Sequence, residues 1–317
     1  MFSFLKRSKK SAKEAEKVYF VGKNSVDAEY IYIGEDEHHV QVLKNYIDTL
    51  HMNILNEAGN SDALKQTPVY YFFDFDQNSQ DLSVGRLGPN KDKSDRDNIF
   101  LLTRYVCDLT VKTYPLFTPS LYSDFFNDSD NIVHTDLKHF TLEQFKQRIK
   151  SQSQSSLYLD NKEVLNYATD ALYGLNINGY LTSLLKHYPA MEVKHLMGMW
   201  AFWRETINAL EDKQATLPLL IELPNNDNLH HYISFICQLL EPLFESLAHY
   251  RVFWWRDQVA DRSWCLITDL KREANVDLML FNVQLMTKFD VLTYNGMKIN
   301  DASVSSLFDA LQILIEN

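Results

Sequence analysis

Residues 68–76 read PVYYFFDFD, the most strongly strand-like stretch of the chain. Apart from Asp74, every residue from 69 to 75 is β-branched or aromatic, and these are the side-chain types that strands favour. A bulky apolar run of this kind predicts a central strand of a sheet. The rest of the fold is therefore placed around it.

Shorter strand patterns lie on both sides of this run. Residues 18–21 read VYFV, residues 29–33 read EYIYI and residues 99–102 read IFLL, and each predicts a strand. Residues 36–57 begin with acidic residues and carry apolar side chains at helical spacing, which predicts a helix packed on one face. The polar stretch 76–97 predicts a long exposed loop.

Beyond residue 103 the pattern becomes mostly helical and then mixed. Residues 115–135 contain two prolines and many Asp and Asn residues, which predicts an irregular connection. Apolar spacing and Pro or Gly breaks place the other elements. The predicted helices are 141–150, 160–173, 177–187, 190–211, 229–248 with a kink at Pro242, 273–283 and 302–316, and the predicted strands are 217–224, 251–256, 264–268 and 289–293.

This order of elements predicts an α/β fold, a layered sheet flanked by helices with a helical insertion or subdomain in the middle. Four segments are predicted: 1–17 as a basic flexible tail, 18–135 as an N-terminal α/β part, 136–215 as the helical insertion or subdomain, and 216–317 as a C-terminal α/β part.

Composition narrows the class of protein. The chain has 317 residues, of which 45% are hydrophobic and 13% aromatic, enough apolar material to exclude global disorder. Its formal net charge is −11. Because an acidic surface repels a phosphate backbone, nucleic acid is not an expected partner.

Cysteine usage and the N-terminal segment predict a cytoplasmic protein. Cys107, Cys237 and Cys265 lie far apart and are odd in number, which favours reduced thiols. No apolar stretch approaches the ~20 residues that span a bilayer. Residues 1–17 place a short apolar start before a basic run, the wrong order for a signal peptide. At most, this segment predicts weak peripheral contact with an anionic membrane.

Sequence motifs of catalysis are absent. The chain has no GxSxG, no Walker A loop, no GxGxxG after a strand and no HExxH. Asp74 and Asp76 follow the central strand and face one side of it, so they could hold a divalent cation. Acidic residues at a strand end before a polar loop are also commonplace. We therefore expect a non-enzymatic protein without metal or cofactor.

Two histidine pairs lie near predicted helix starts, His38-His39 and His230-His231. Adjacent side chains on a helix diverge by about 100 degrees, so both members rarely bind one metal ion. Solvent-facing histidines are the expected reading.

Two consecutive tryptophans, Trp254 and Trp255, lie in the predicted strand 251–256. Neighbouring residues of a strand face opposite sides. One of them is therefore a candidate for partial exposure at a protein interface, and burial of both in the core is the alternative.

Several segments together carry a family resemblance. Gly22-Lys23 is followed, after a gap of five residues, by Glu29-Tyr30, and the helix 36–57 and strand 68–72 come next. Then follow GRLGPNKD at 85–92, Asp95-Arg96, IFL at 99–101, RVFWW at 251–255 and CLITDL at 265–270. In order and spacing this resembles the TagF (ImpM) family of type VI secretion accessory proteins.

The resemblance has departures. Asn90 stands where the family has Ser, Asp95 stands where it has Gly, and residues 99–101 lack the family's Pro. The section 136–215 has no counterpart among typical members.

The resemblance implies a cytoplasmic negative regulator of type VI secretion that binds a forkhead-associated scaffold protein. It singles out a set of interaction candidates, to which the tryptophans are added: Gly22, Lys23, Glu29, Tyr30, Asp92, Arg96, Trp254 and Trp255. Two alternatives stay open. One is a structural accessory component that docks at the membrane complex of the secretion system, helped by residues 1–17. The other is a metal-dependent phosphohydrolase that uses Asp74 and Asp76.

Overall fold

The computed structural model describes residues 16–23, 30–34, 69–153, 160–176, 219–225, 227–257 and 262–268, with the single positions 41, 45 and 49. Its strands are β1 (Val18–Gly22), β2 (Ile31–Ile33), β3 (Tyr70–Asp76), β4 (Asp81–Lys91), β5 (Asp97–Val106), β6 (Leu219–Pro224), β7 (His249–Asp257) and β8 (Arg262–Thr268). They form one sheet in the order β2-β1-β5-β4-β3-β7-β8-β6, and all neighbouring strands are antiparallel. The predicted α/β class is confirmed.

Helices lie mainly between β5 and β6, in the middle of the chain. They are α1 (Leu109–Thr113), α2 (Thr118–Leu121), α3 (Ser123–Asn131), α4 (Leu137–His139), α5 (Leu142–Gln152), α6 (Asn161–Tyr173), α7 (Leu229–Leu239) and α8 (Glu241–Phe244). A 3-10 turn, Pro115–Phe117, precedes α2, and a π-helical turn, Ile132–Asp136, joins α3 to α4. Within the described residues, no helix is long and apolar enough to cross a membrane.

The sheet is buried on both faces, which explains why residues 70–73 of its central strand are all aromatic. Phe73 packs in a core with Phe126 of α3 and Ile233 of α7. Its neighbour Phe72 points the other way, into a second buried cluster. Side chains alternate between the two faces of a strand. A strand with one face in water would therefore alternate polar and apolar residues, and residues 70–73 do not.

One predicted loop is a strand. An exposed loop is predicted at residues 76–97, but β4 occupies half of them and pairs with both β3 and β5. Residues 85–89 contain two glycines and a proline, which are rare in strands, and so the sequence pattern favoured a loop. Gly85 has a packing reason, because a Cβ there would lie 2.2 Å from the Leu102 carbonyl oxygen.

The predicted irregular connection 115–135 is also wrong, since most of it is helical. Pro115 begins the 3-10 turn and Pro119 lies in the first turn of α2. A proline in a first turn costs no helical hydrogen bond, because the N–H groups there have no intrahelical partner. The boundary predicted at residue 135 falls inside the π-helical turn.

Other helix predictions hold more closely. Helices 141–150 and 160–173 are confirmed as α5 and α6. The helix predicted at 229–248 is two helices, α7 and α8, and Pro242 lies in the first turn of the second. The predictions at 177–187, 190–211, 273–283, 289–293 and 302–316 lie outside the described residues.

The predicted helix 36–57 lies outside them as well, apart from three single positions. Gln41, Asn45 and Thr49 are helical and exposed, at the spacing of one helix face.

Glu16 and Lys17, which the sequence assigned to a flexible tail, belong to the described structure. Glu16 is 1% exposed, and its Oε2 lies 3.0 Å from Nε of the buried Arg104. The Tyr122 hydroxyl donates to Glu16 Oε1 at 2.8 Å. Burial raises the pKa of Glu16, although Arg104 and Tyr122 act in the opposite direction. We call this group the Glu16 latch, and it makes Glu16 and Lys17 part of the fold.

Candidate protein-interaction site

Sheet pairing brings several of the predicted interaction residues to one corner. β1 pairs with β2 on one side and β5 on the other, and β5 pairs with β4. The end of β1, the start of β2 and the loop between β4 and β5 therefore meet. We call this the hairpin corner, and it comprises Gly22, Lys23, Tyr30, Asn90, Asp92–Arg96 and Asn98.

Asp92 organises the loop of the hairpin corner. Its Oδ1 accepts the backbone N–H of Ser94 at 2.8 Å and that of Arg96 at 3.1 Å. The backbone adds a bond from Asp92 N to the Arg96 carbonyl oxygen at 3.0 Å. Asp95 takes a left-handed conformation, with φ of +59°, which turns the chain. One buried carboxylate thus fixes the path of five residues.

The other oxygen of Asp92 binds two cations. Arg96 approaches Oδ2 through Nε at 2.8 Å and through NH2 at 2.7 Å, and Lys23 Nζ lies 3.3 Å away. The Asp92 side chain is 0% exposed, whereas the Arg96 side chain is 63% exposed. The Asp92 carboxylate is therefore shielded from solvent, whereas the Arg96 guanidinium is exposed to it.

Gly22 is required by the close approach of two strands. Its φ is +150°, and a Cβ there would lie 2.9 Å from the Cα of Phe100. Both the backbone angle and the contact exclude a larger side chain without strain. Gly22 thus allows the close packing of β1 against Phe100, and it offers no side chain to a partner.

Tyr30 completes the hairpin corner. Its hydroxyl donates to Asn98 Oδ1 at 3.0 Å, and its ring centroid lies 5.2 Å from Lys23 Nζ. The ring stacks on Tyr32 with centroids 5.4 Å apart. Both tyrosines are half-buried, so part of this aromatic surface faces solvent.

Two asparagines of the hairpin corner were missed at the sequence level. Asn90 Nδ2 donates to the carbonyl oxygen of Lys23, and Asn98 Oδ1 accepts the hydrogen bond from the Tyr30 hydroxyl. Asn90 stands at a position where the TagF family has Ser, and this difference is the sequence feature that pointed to Asn90. An amide reaches farther than a hydroxyl and carries two N–H donors.

The electrostatics of Asp92 give a testable acid dependence. Burial by itself raises the pKa of Asp92, but hydrogen bonds from Arg96, Ser94 and Lys23 outweigh it and hold the pKa well below its ordinary value. A carboxyl group with a depressed native pKa stabilises the fold above its unfolded pKa and loses that effect as pH falls through the native one.

We expect Asp92→Asn to lower the thermal unfolding midpoint at pH 7, and the gap from wild type to shrink as pH falls below about 4. Thermal unfolding monitored by circular dichroism from pH 7 to pH 3 measures this gap. Asp95→Asn is the matched control, because the Asp95 side chain is 80% exposed. A gap that stays constant over the whole range would contradict the role given to Asp92.

Trp254 and Trp255 are not part of the hairpin corner. They face opposite sides of β7, as predicted, but both are buried, with exposures of 0% and 4%. The expected partial exposure is therefore wrong, because the sheet is covered on both faces. Glu29 lies outside the described residues.

Asp74 and Asp76 have structural partners. Asp74 Oδ1 lies 2.6 Å from His249 Nε2, and its Oδ2 accepts Arg251 NH2 at 2.9 Å. Burial raises the pKa of Asp74, but Arg251 and His249 outweigh it and lower the pKa. Asp76 Oδ1 accepts the Asn78 backbone N–H at 2.8 Å in the turn after β3. The described part of the chain holds no group of three or more potential metal ligands.

One of the four paired histidines, His230, differs from expectation. His230 is 1% exposed, and its Nδ1 accepts the Trp254 indole N–H at 3.1 Å. Burial, with smaller effects from Arg256, His231 and Arg86, lowers its pKa to about 3. His230 is thus a neutral core residue and not a solvent-facing one. His231 is half-buried, and His38-His39 lies outside the described residues.

Comparison with solved structures found similar chains, and PA0076 is one of them. No protein-family model matches the chain, and no curated protein sequence matches it. The crystal structure of PA0076 from Pseudomonas aeruginosa PAO1 is similar at a TM-score of 0.36 and 16% sequence identity. The match covers 44% of this chain and 64% of PA0076, so it spans less than two thirds of that protein.

Proposed function

We propose that this protein is a non-catalytic accessory protein of bacterial type VI secretion, which acts in the cytoplasm by binding another protein. The sequence resemblance to the TagF family suggests the system and the regulatory role. One structural observation carries the proposal. Lys23, Tyr30, Asp92 and Arg96, which the resemblance singles out from distant segments, form one connected group.

The chemistry of the hairpin corner favours recognition over catalysis. Its carboxylate, Asp92, has both oxygens occupied by N–H donors and cations. A general base or a metal ligand needs a free oxygen. The exposed groups are the Arg96 guanidinium, part of the Tyr30 ring, Lys93, and an Asp95 carboxylate that pairs with Lys91. Arg and Tyr are enriched among the residues that contribute most to protein interfaces.

The test is an affinity pull-down of tagged protein from its native cells, read by quantitative mass spectrometry. Wild type is expected to retain type VI secretion components, with a forkhead-associated scaffold as the expected direct partner. Arg96→Ala should reduce their recovery about tenfold, as expected when a contributing interface side chain is lost.

Lys146→Ala is the control, because Lys146 is exposed on α5 and is not one of the residues of the hairpin corner. Thermal unfolding of each variant confirms that it is folded. Recovery of no secretion component by wild type at low or physiological salt would refute the proposed function.

A further inference from the structure

We propose that the hairpin corner binds an acidic segment of its partner protein, with Lys93 and Arg96 receiving carboxylates and Tyr30 and Tyr32 receiving an apolar side chain. This names the chemistry of the partner and rests on the proposed function.

The loop is held in place before binding. Asp92 fixes it through its two backbone acceptor bonds, and the Asp95 N–H donates to the Asp92 carbonyl oxygen at 2.9 Å. Lys93 lies inside this loop and is exposed. Binding to a preformed loop avoids the entropy cost of ordering its backbone.

The described residues at this loop carry a small excess of positive charge, because the four cations Lys23, Lys91, Lys93 and Arg96 outnumber the three carboxylates Asp92, Asp95 and Asp97. Lys23 and Arg96 share the single carboxylate of Asp92, which is itself 0% exposed. Lys93 forms no ion pair within the part of the chain that the structure describes. Lys91 is offset by Asp95, at 2.6 Å from Nζ to Oδ1. The exposed cations that remain are Lys93 and Arg96, whereas the Lys23 side chain is 15% exposed.

This local sign is opposite to that of the whole protein, whose formal net charge is −11. An acidic body repels an acidic partner from the rest of its surface. The attraction at the hairpin corner and the repulsion elsewhere both favour one docking position. A basic partner would instead be attracted to many positions.

The ring of Tyr30 lies beside Lys23, with Nζ 5.2 Å from its centroid, and stacks on Tyr32. Half-buried rings offer rigid apolar area at low entropy cost. A segment that alternates acidic and aromatic or aliphatic residues therefore fits the hairpin corner better than a purely acidic one.

The experiment uses a fluorescein-labelled peptide of alternating glutamate and tyrosine, and the same peptide with glutamine in place of glutamate. Fluorescence anisotropy with the full chain is expected to show binding of the acidic peptide, stronger at low salt, and much weaker binding of the neutral one. Lys93→Glu should weaken binding by about tenfold or more, as charge reversal at a rim does, while Lys93→Arg should retain it.

Lys146→Glu makes the same change of net charge on α5 and should leave binding near the wild-type level. Absence of binding to the acidic peptide overturns the proposal. So does an equal loss in Lys93→Glu and Lys146→Glu, because the effect would then belong to the whole charge. Lys93 is exposed, and so its replacement is not expected to unfold the chain.

The proposal and the proposed function fail separately. If wild type and Lys93→Glu recover secretion components equally from cells, the acidic segment is refuted and the function stands. If the acidic peptide binds through Lys93 but cells yield no secretion component, the preference for acidic segments stands and the function is refuted.

Discussion

Trp254→Ala is expected to lower the free energy of unfolding by about 3–5 kcal/mol, the cost typical of deleting a large aromatic side chain from a core. Trp254 is 0% exposed. Its ring stacks on Tyr71 at 5.8 Å and meets Phe126 edge-on at 5.0 Å. The change also removes the donor to His230 Nδ1, which leaves a buried acceptor without its bond.

Urea unfolding followed by tryptophan fluorescence and circular dichroism measures the loss. Trp254→Phe is the companion variant, because it removes the indole N–H but keeps an aromatic ring and leaves a smaller cavity than alanine does. Its cost should be clearly smaller. A Trp254→Ala protein as stable as wild type, but unable to recover partners from cells, would instead restore Trp254 as an interface residue.

Replacing Arg104 by methionine is the second change with a large expected effect, about 3–5 kcal/mol of lost stability. Arg104 and Glu16 have side-chain exposures of 4% and 1%. Methionine fills much of the same space but leaves the carboxylate of Glu16 buried without its partner. The cost therefore comes from an uncompensated charge more than from a cavity.

A double-mutant cycle isolates that charge. Glu16→Gln combined with Arg104→Met should cost less than the two single changes added together, since neither charge is then left alone. Lower pH should also reduce the cost of Arg104→Met, because Glu16 can become neutral by protonation. Burial already raises its pKa. A cycle that is strictly additive at neutral pH would refute the buried pair as a stabilising unit.

The sequence predicted the central strand well, and the composition of that strand also indicates how it is buried. A run without alternation, such as residues 70–73, indicates a strand that is covered on both faces. Applied to β7, which pairs directly with β3, the same argument would have placed both Trp254 and Trp255 in the interior. The alternation of side chains along a strand shows that two neighbouring residues face opposite sides of the sheet. It does not show that either side is exposed to solvent.

Glycine and proline caused the main errors of secondary structure. β4 was taken for a loop although Leu82, Val84 and Leu87 are buried along it. Its Gly85 is needed for the approach of β5 and of Phe72. Such a contact depends on residues far away in sequence, so no local pattern reveals it.

The hairpin corner was predictable only in part. The resemblance supplied Lys23, Tyr30, Asp92 and Arg96 as separate positions, and the spacing within each segment gave no reason for them to meet. Their contact requires β1 to pair with β5 and β5 with β4. Pairing of this long range is set by the packing of the whole sheet, and so Asn90 and Asn98 could not be assigned a role beforehand.

The Glu16 latch and the hairpin corner lie at opposite ends of one extended segment, which fixes the geometry of any tethered assay. Lys23 lies seven positions after Glu16, and at about 3.3 Å per position this separation is roughly 23 Å. A biosensor linker joined ahead of residue 16 thus meets the sheet at the far end of β1. Protein captured in that way holds the hairpin corner away from the chip, where an injected partner can reach it.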